Sequence, residues 1–213
     1  MKSTTSICQI AVAAVFFILA AAISYPGMAS ASSGSKTLAN LQVAFNGESN
    51  ASAKYMAYAG KADEEGYHRV AVLFRAASKA EAIHAANHAR VIRSLGAEPE
   101  AQVKLPEIQS TRENLEDALK GETYEQDVMY PEFLKQAALD KNDDADETFT
   151  YAREAEMEHA KLYRMALDDL EAWKIAGAEF SVCPICGFTV EGKPSFTDCP
   201  VCGASEEQYI SIS

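Results

Sequence analysis

Twice in this chain a Gly-Glu pair is followed, about one helical hairpin later, by Glu-x-x-His. Gly47-Glu48 precedes Glu81-x-x-His84 by 33 residues, and Gly121-Glu122 precedes Glu156-x-x-His159 by 34. Residues three apart lie on one face of a helix, so the carboxylate and imidazole of each Glu-x-x-His can serve one metal ion. A lone Glu-x-x-His is ordinary on a solvated helix. Two copies with matching upstream glutamates instead predict two hairpins packed face to face, with four Glu and two His around a common point. Burying that many carboxylates without a cation is prohibitive. Oxygen and imidazole donors suit iron or manganese, and carboxylate bundles hold such pairs of ions.

The region from Ser35 to Ala176 supports the hairpins. It is rich in Ala, Glu, Lys and Leu, and apolar residues recur at helical spacing, as at Val70, Leu73, Phe74 and Ala77. Breaks at Gly66, at Gly96 with Pro99, and at Asn142 to Asp144 divide it into four helices. The third starts at Ser110, with Glu113 completing a capping box. The segment from Gly96 to Gln109 is long enough to run the length of the bundle as one crossover, and Pro131 is expected to bend the third helix. Glu125 breaks the symmetry of the repeat, because the first half has Ala51 at that place; it adds a fifth carboxylate facing the site. Tyr55 and Tyr130 fall about two turns beyond Glu48 and Glu122. They are either core tyrosines or hydrogen-bond partners of the ligand carboxylates. His68 and His88 have no place in the repeat and read as surface or packing residues, with His88 also placed one turn beyond His84.

At Gly177 the composition changes. Cys183-Pro-Ile-Cys186-Gly187 and Cys199-Pro-Val-Cys202-Gly203 are two C-P-x-C-G knuckles, which together offer four thiolates to a tetrahedral metal. Iron and zinc both accept such a site, and disulfides are the rival in an exported protein.

Export is the reading of residues 1 to 31: Lys2, an apolar run from Ile7 to Ile23, and Ala29-Ser30-Ala31 as a cleavage site. The same run, left uncleaved, would act as a membrane anchor. With 31 acidic against 19 basic residues and a net charge of -12, the chain has no use for nucleic acid as a partner.

Taken together, Ala44-Phe-Asn-Gly-Glu48-Ser49, Glu81-x-x-His84, Gly121-Glu122-x-x-Glu125, Met129-Tyr130-Pro131, Glu156-x-x-His159 and both knuckles resemble the rubrerythrin family over about residues 37 to 210. The resemblance implies an all-α ferritin-like four-helix bundle with a long crossover over 35–176, followed by a small rubredoxin-like metal-binding domain with four cysteines over 177–213. It implies two iron ions bridged by Glu81 and Glu156 and, when oxidised, by an oxide. Glu48 is then a terminal ligand of one iron, Glu122 and His159 hold the other, and Glu125 and His84 exchange with redox state. Cys183, Cys186, Cys199 and Cys202 hold a third iron, for which zinc is the substitute. The implied activity is a peroxidase that reduces hydrogen peroxide to water; the residues placed to assist it are Glu125 or Glu48 as proton donor, and Tyr55 and Tyr130 beside the ligands. Its electrons come from an external redox protein, or from a cytochrome chain if the enzyme is exported. Relay between the two metal sites is expected to need the module of one copy beside the bundle of another, hence a homodimer. An iron-storage or ferroxidase protein with structural zinc has the same ligand set.

Overall fold

The computed structural model describes residues 36–175 and 177–213. The expected export signal, residues 1–31, lies outside the described residues, as does the expected junction at Ala176. No described helix is long and apolar enough to cross a membrane.

The first hairpin pairs α1 (Lys36–Glu64) with α2 (His68–Ser94). After the crossover, α3 (Thr111–Tyr124) starts on the expected box: Ser110 Oγ accepts from the Glu113 amide, and the Glu113 carboxylate accepts from the Ser110 amide. The third rod is not one regular helix. A π-helical turn, Glu125–Met129, joins α3 to α4 (Tyr130–Asp140), and the Tyr130 amide donates to Glu125 O. Sequence reasoning puts the bend at Pro131, but the irregular turn starts six residues earlier. In the wider register of that turn the donor due at Gln126 O belongs to Pro131, which has none; Arg153 Nε donates there instead, at 3.1 Å. The fourth rod, α5 (Asp143–Asp168), is capped by Asn142 and carries Asp143, Asp144 and Asp146 in its first turn, where the helix dipole favours anions.

Each rod has its apolar residues in two groups. Tyr55, Phe74, Leu115 and Tyr163 belong to one core, and Leu41, Ile92, Tyr130 and Phe149 to the other. Along every rod the repeat glutamate falls between the two, so the polar cluster forms a layer inside an apolar bundle.

The crossover is tied down by amides. Gln42 exchanges hydrogen bonds with Glu98 O (2.6 Å) and the Glu100 amide (3.1 Å), Asn46 accepts from the Gln102 amide (2.8 Å), and Asn50 bonds Gln102 O (3.1 Å) and the Lys104 amide (2.8 Å). Steps of four along a helix and of two along an extended chain both advance about 6 Å, so the rungs stay in register. Asn50→Ala removes two rungs and is expected to lower stability by about 1–2 kcal/mol, read as a lower urea midpoint with unchanged slope.

The C-terminal module is a three-stranded antiparallel sheet of β1 (Phe180–Val182), β2 (Thr189–Glu191) and β3 (Ile210–Ile212) in the order β2-β1-β3. Phe180 and Val182 belong to the same buried core as Tyr163, Leu170 and Trp173, so module and bundle share apolar surface. Beside this joint Arg69 lies 4.1 Å from the Trp173 ring and pairs with Glu191 at 2.5 Å.

Candidate metal centre

Seven predicted residues from all four rods converge. Glu48 comes from α1, Glu81 and His84 from α2, Glu122 from α3, and Glu156 and His159 from α5, all essentially without solvent exposure; Glu125 stands half-buried at the edge. The donor atoms of Glu48, Glu81, His84 and Glu156 lie within 4.8 Å of one another, and so do those of Glu81, Glu122, Glu156 and His159. The two sets share Glu81 and Glu156, the pair expected to bridge. Glu125 belongs to neither set.

The donor chemistry fits two cations. Glu48 Oε2, Glu81 Oε1, Glu122 Oε2 and Glu156 Oε1 are buried with no hydrogen bond; Nδ1 of His84, 3.0 Å from Glu156 Oε1, makes its bond to Glu81 Oε2 at 2.9 Å instead. Four orphaned carboxylate oxygens in one apolar bundle are untenable unless protons or metal ions neutralise them.

Protons do so in the metal-free chain. Burial and the charges of neighbouring glutamates raise the pKa values of Glu48, Glu122 and Glu125 well above the usual carboxylate range. Burial lowers that of His159, but hydrogen bonds to Glu156 and Glu81 outweigh it and hold the group at about 9. His84 is raised too, burial being outweighed by Glu156 and Glu81. Burial also opposes ionisation of Glu81, yet bonds from His159 and His84 bring it below the usual range.

The far nitrogens of the two imidazoles are fixed by the C-terminal module. His84 Nε2 is 3.0 Å from Cys186 O; a carbonyl only accepts, so Nε2 carries the hydrogen. His159 Nε2 is 3.1 Å from Thr189 Oγ1, which spends its own hydrogen on Gly187 O at 2.9 Å, so this Nε2 donates as well. Each Nδ1 is thereby left as the donor aimed at the cluster.

The phenols are bonded across the repeat. Tyr55, from the helix of Glu48, donates to Glu122 Oε1 at 2.5 Å, and Tyr130, from the rod of Glu122, donates to Glu48 Oε1. His88 is an outer partner: buried, with Nε2 3.1 Å from the Tyr130 hydroxyl and Nδ1 3.0 Å from Thr148 Oγ1. Burial and the charge of His84 push its pKa down to about 3, so it stays neutral. His68 is on the surface beside Asp63, as expected.

In the module the four Sγ atoms lie within 4.8 Å of one another, with Cys183 3.5 Å from Cys202 and Cys186 3.6 Å from Cys199, all as free thiols. The disulfide alternative thus has no support. A hydrogen bond from the Cys186 thiol and the amides of Cys186 and Ile185 bring Cys183 down to about 5, a thiolate at neutral pH. Within the single chain the module already reaches the carboxylate cluster. The module touching the cluster is the chain's own, through His84–Cys186 and through Asn87 Nδ2, 2.8 Å from Ile185 O. Residues so far apart give no local signal of the contact.

Comparison with known proteins agrees with this geometry. The rubrerythrin family profile matches residues 39–167. Nigerythrin of Nitratidesulfovibrio vulgaris is 39% identical over 74% of the chain and 77% of its own length, and rubrerythrin-2 of Clostridium acetobutylicum is 36% identical over 70% and 82%. A nigerythrin structure in its fully reduced, all-ferrous state superposes with a TM-score of 0.77 at 37% identity, covering 84% of this chain and 87% of that one. A bacterioferritin of Desulfovibrio desulfuricans, at 24% identity and a TM-score of 0.60, shares the bundle fold.

Proposed function

The chain belongs to the rubrerythrin family of non-haem di-iron proteins, and from that premise we propose that it is an exported peroxidase reducing hydrogen peroxide to water. Its electrons arrive through iron held by Cys183, Cys186, Cys199 and Cys202. The observation that carries the reading is one imidazole between two donor sets: His84 faces Glu81 and Glu156 through Nδ1 and the Cys186 carbonyl through Nε2. Iron storage would leave that contact without a task.

In this reading Glu48, Glu81, His84 and Glu156 would hold one iron, and Glu81, Glu122, Glu156 and His159 the other. Iron bound there would supply the two electrons needed to reduce peroxide, and iron on the four thiolates would replace them one at a time. Tyr55 and Tyr130 fix one oxygen of Glu122 and of Glu48, so that only the other oxygen is available to a cation. Glu125 holds a proton at the edge of the cluster and donates it as peroxide is cleaved. Glu125→Ala is expected to slow peroxide turnover about 100-fold while both metal sites stay filled; unchanged turnover would remove Glu125 from the mechanism.

Export follows from residues 1–31 and directs the search for the donor to periplasmic or membrane-linked redox proteins. Mature protein starting at Ser32 in a periplasmic extract supports it, and a cytosolic protein with Met1 intact refutes it. The deciding experiment on function reduces the protein without oxygen, mixes it rapidly with hydrogen peroxide and follows ferric–thiolate absorption. Return of the colour as peroxide disappears is the expected result. Persisting peroxide with no colour would point to storage with zinc on the thiolates.

A further inference from the structure

The glycine before each repeat glutamate is unexplained by the metal ligands. Gly47 and Gly121 sit inside helices, where glycine costs about 1 kcal/mol relative to alanine. Neither has the left-handed backbone that would require glycine. Nor does close packing demand it. A Cβ on Gly47 would meet nothing within 4 Å, and one on Gly121 would touch only Lys54 Nζ and the Tyr55 hydroxyl at 4.0 Å, an ordinary contact. What the two share is a cavity of about 140 Å³ between α1 and α3, with both glycines in its wall.

That cavity reaches the edge of the cluster. Tyr55, whose hydroxyl holds Glu122, and Glu125 line it on the inside, and Lys54 and Lys104 line it towards solvent. The crossover passes over it but is not fastened there. The amide ladder of Gln42, Asn46 and Asn50 ends at Lys104; the next rung would join position 54, a lysine, to position 106, a proline without an amide hydrogen.

We infer that Gly47 and Gly121 hold open an entrance to the carboxylate cluster for small neutral or anionic molecules such as hydrogen peroxide. A cavity of about 140 Å³ has ample room for hydrogen peroxide. The choice of peroxide rests on the function proposed above. The entrance itself does not.

The test uses iron-loaded full-length protein with measured iron content. Azide association with the oxidised form is followed by stopped-flow absorbance, and oxidation of the reduced form is timed with hydrogen peroxide. Gly47→Ala/Gly121→Ala is expected to fold, to melt higher than wild type because alanine favours helix, and to take up azide more slowly. Gly121→Leu fills the cavity and is expected to slow azide and hydrogen peroxide by at least about tenfold. Fully loaded Gly121→Leu protein that takes azide at the wild-type rate overturns the entrance, as does an alanine pair that melts lower, since glycine would then serve packing. If wild type ignores peroxide while azide is still slowed in Gly121→Leu, the entrance stands and the peroxidase reading falls.

Discussion

Metal-free protein is expected to melt about 4–8 °C lower at pH 9 than at pH 7, and metal-loaded protein to show no such fall. His159 is held at about 9 in the folded chain against an ordinary value near 6.5, so the folded state binds this proton more tightly than the unfolded state does. A group raised in this way stabilises fully below its unfolded value, and its contribution disappears as pH climbs through the folded one. Between pH 7 and 9 the loss from His159 alone is about 2 kcal/mol. His84, Glu48 and Glu122 are raised as well and push in the same direction. Glu81 is displaced downward, but its titration is over well below pH 7, so it adds no slope in this range. Metal ions would compete with these protons for the same histidines and glutamates, so binding must release protons and metal affinity should rise with pH as metal-free stability falls. Melting of chelated and reloaded samples at the two pH values measures both effects. Equal melting of the chelated protein at pH 7 and 9 would show that protons do not neutralise the cluster.

That result would test what the sequence makes plain, since the four glutamates and two histidines are legible from spacing alone. The box at Ser110 and Glu113 and the cap at Asn142 are equally legible, because each is a contact between near neighbours. What cannot be read locally depends on packing. The π turn is one case: Pro131 is visible, but the register of the backbone before it depends on Arg153, on another rod, reaching Gln126 O. The amide ladder is an intermediate case. Gln42, Asn46 and Asn50 stand at steps of four, a recognisable stripe, yet only the crossover lying beside them gives it meaning. Gly187 is the most misleading residue, because its place after a CxxC knuckle explains it fully as a turn and hides a second role.

Gly187→Ala is expected to uncouple the two metal sites, whereas Gly203→Ala leaves them coupled. The two glycines end equivalent knuckles, each donating its amide to the first cysteine, Cys183 or Cys199, at 3.0 and 2.9 Å. Both have left-handed backbone, φ +80° and +74°, so alanine strains either turn by about 1–2 kcal/mol. They differ in what lies outside. A Cβ on Gly203 would meet nothing within 4 Å, but one on Gly187 would overlap Nε2 of His84, with Cδ2 only 2.9 Å away. Relieving the overlap means backing the knuckle off the imidazole, which breaks the bond from His84 Nε2 to Cys186 O. An overlap of this kind costs about 1–3 kcal/mol, so the docked population falls about 5- to 150-fold in Gly187→Ala beyond any loss in Gly203→Ala. Both variants should keep four-thiolate iron, seen in the visible spectrum, and an intact bundle, seen by circular dichroism. Reoxidation of the thiolate iron by peroxide should slow in the first variant and stay near wild type in the second. Equal rates in the two would mean that electrons do not pass where His84 meets Cys186, and that the module reaches the carboxylate cluster by another face.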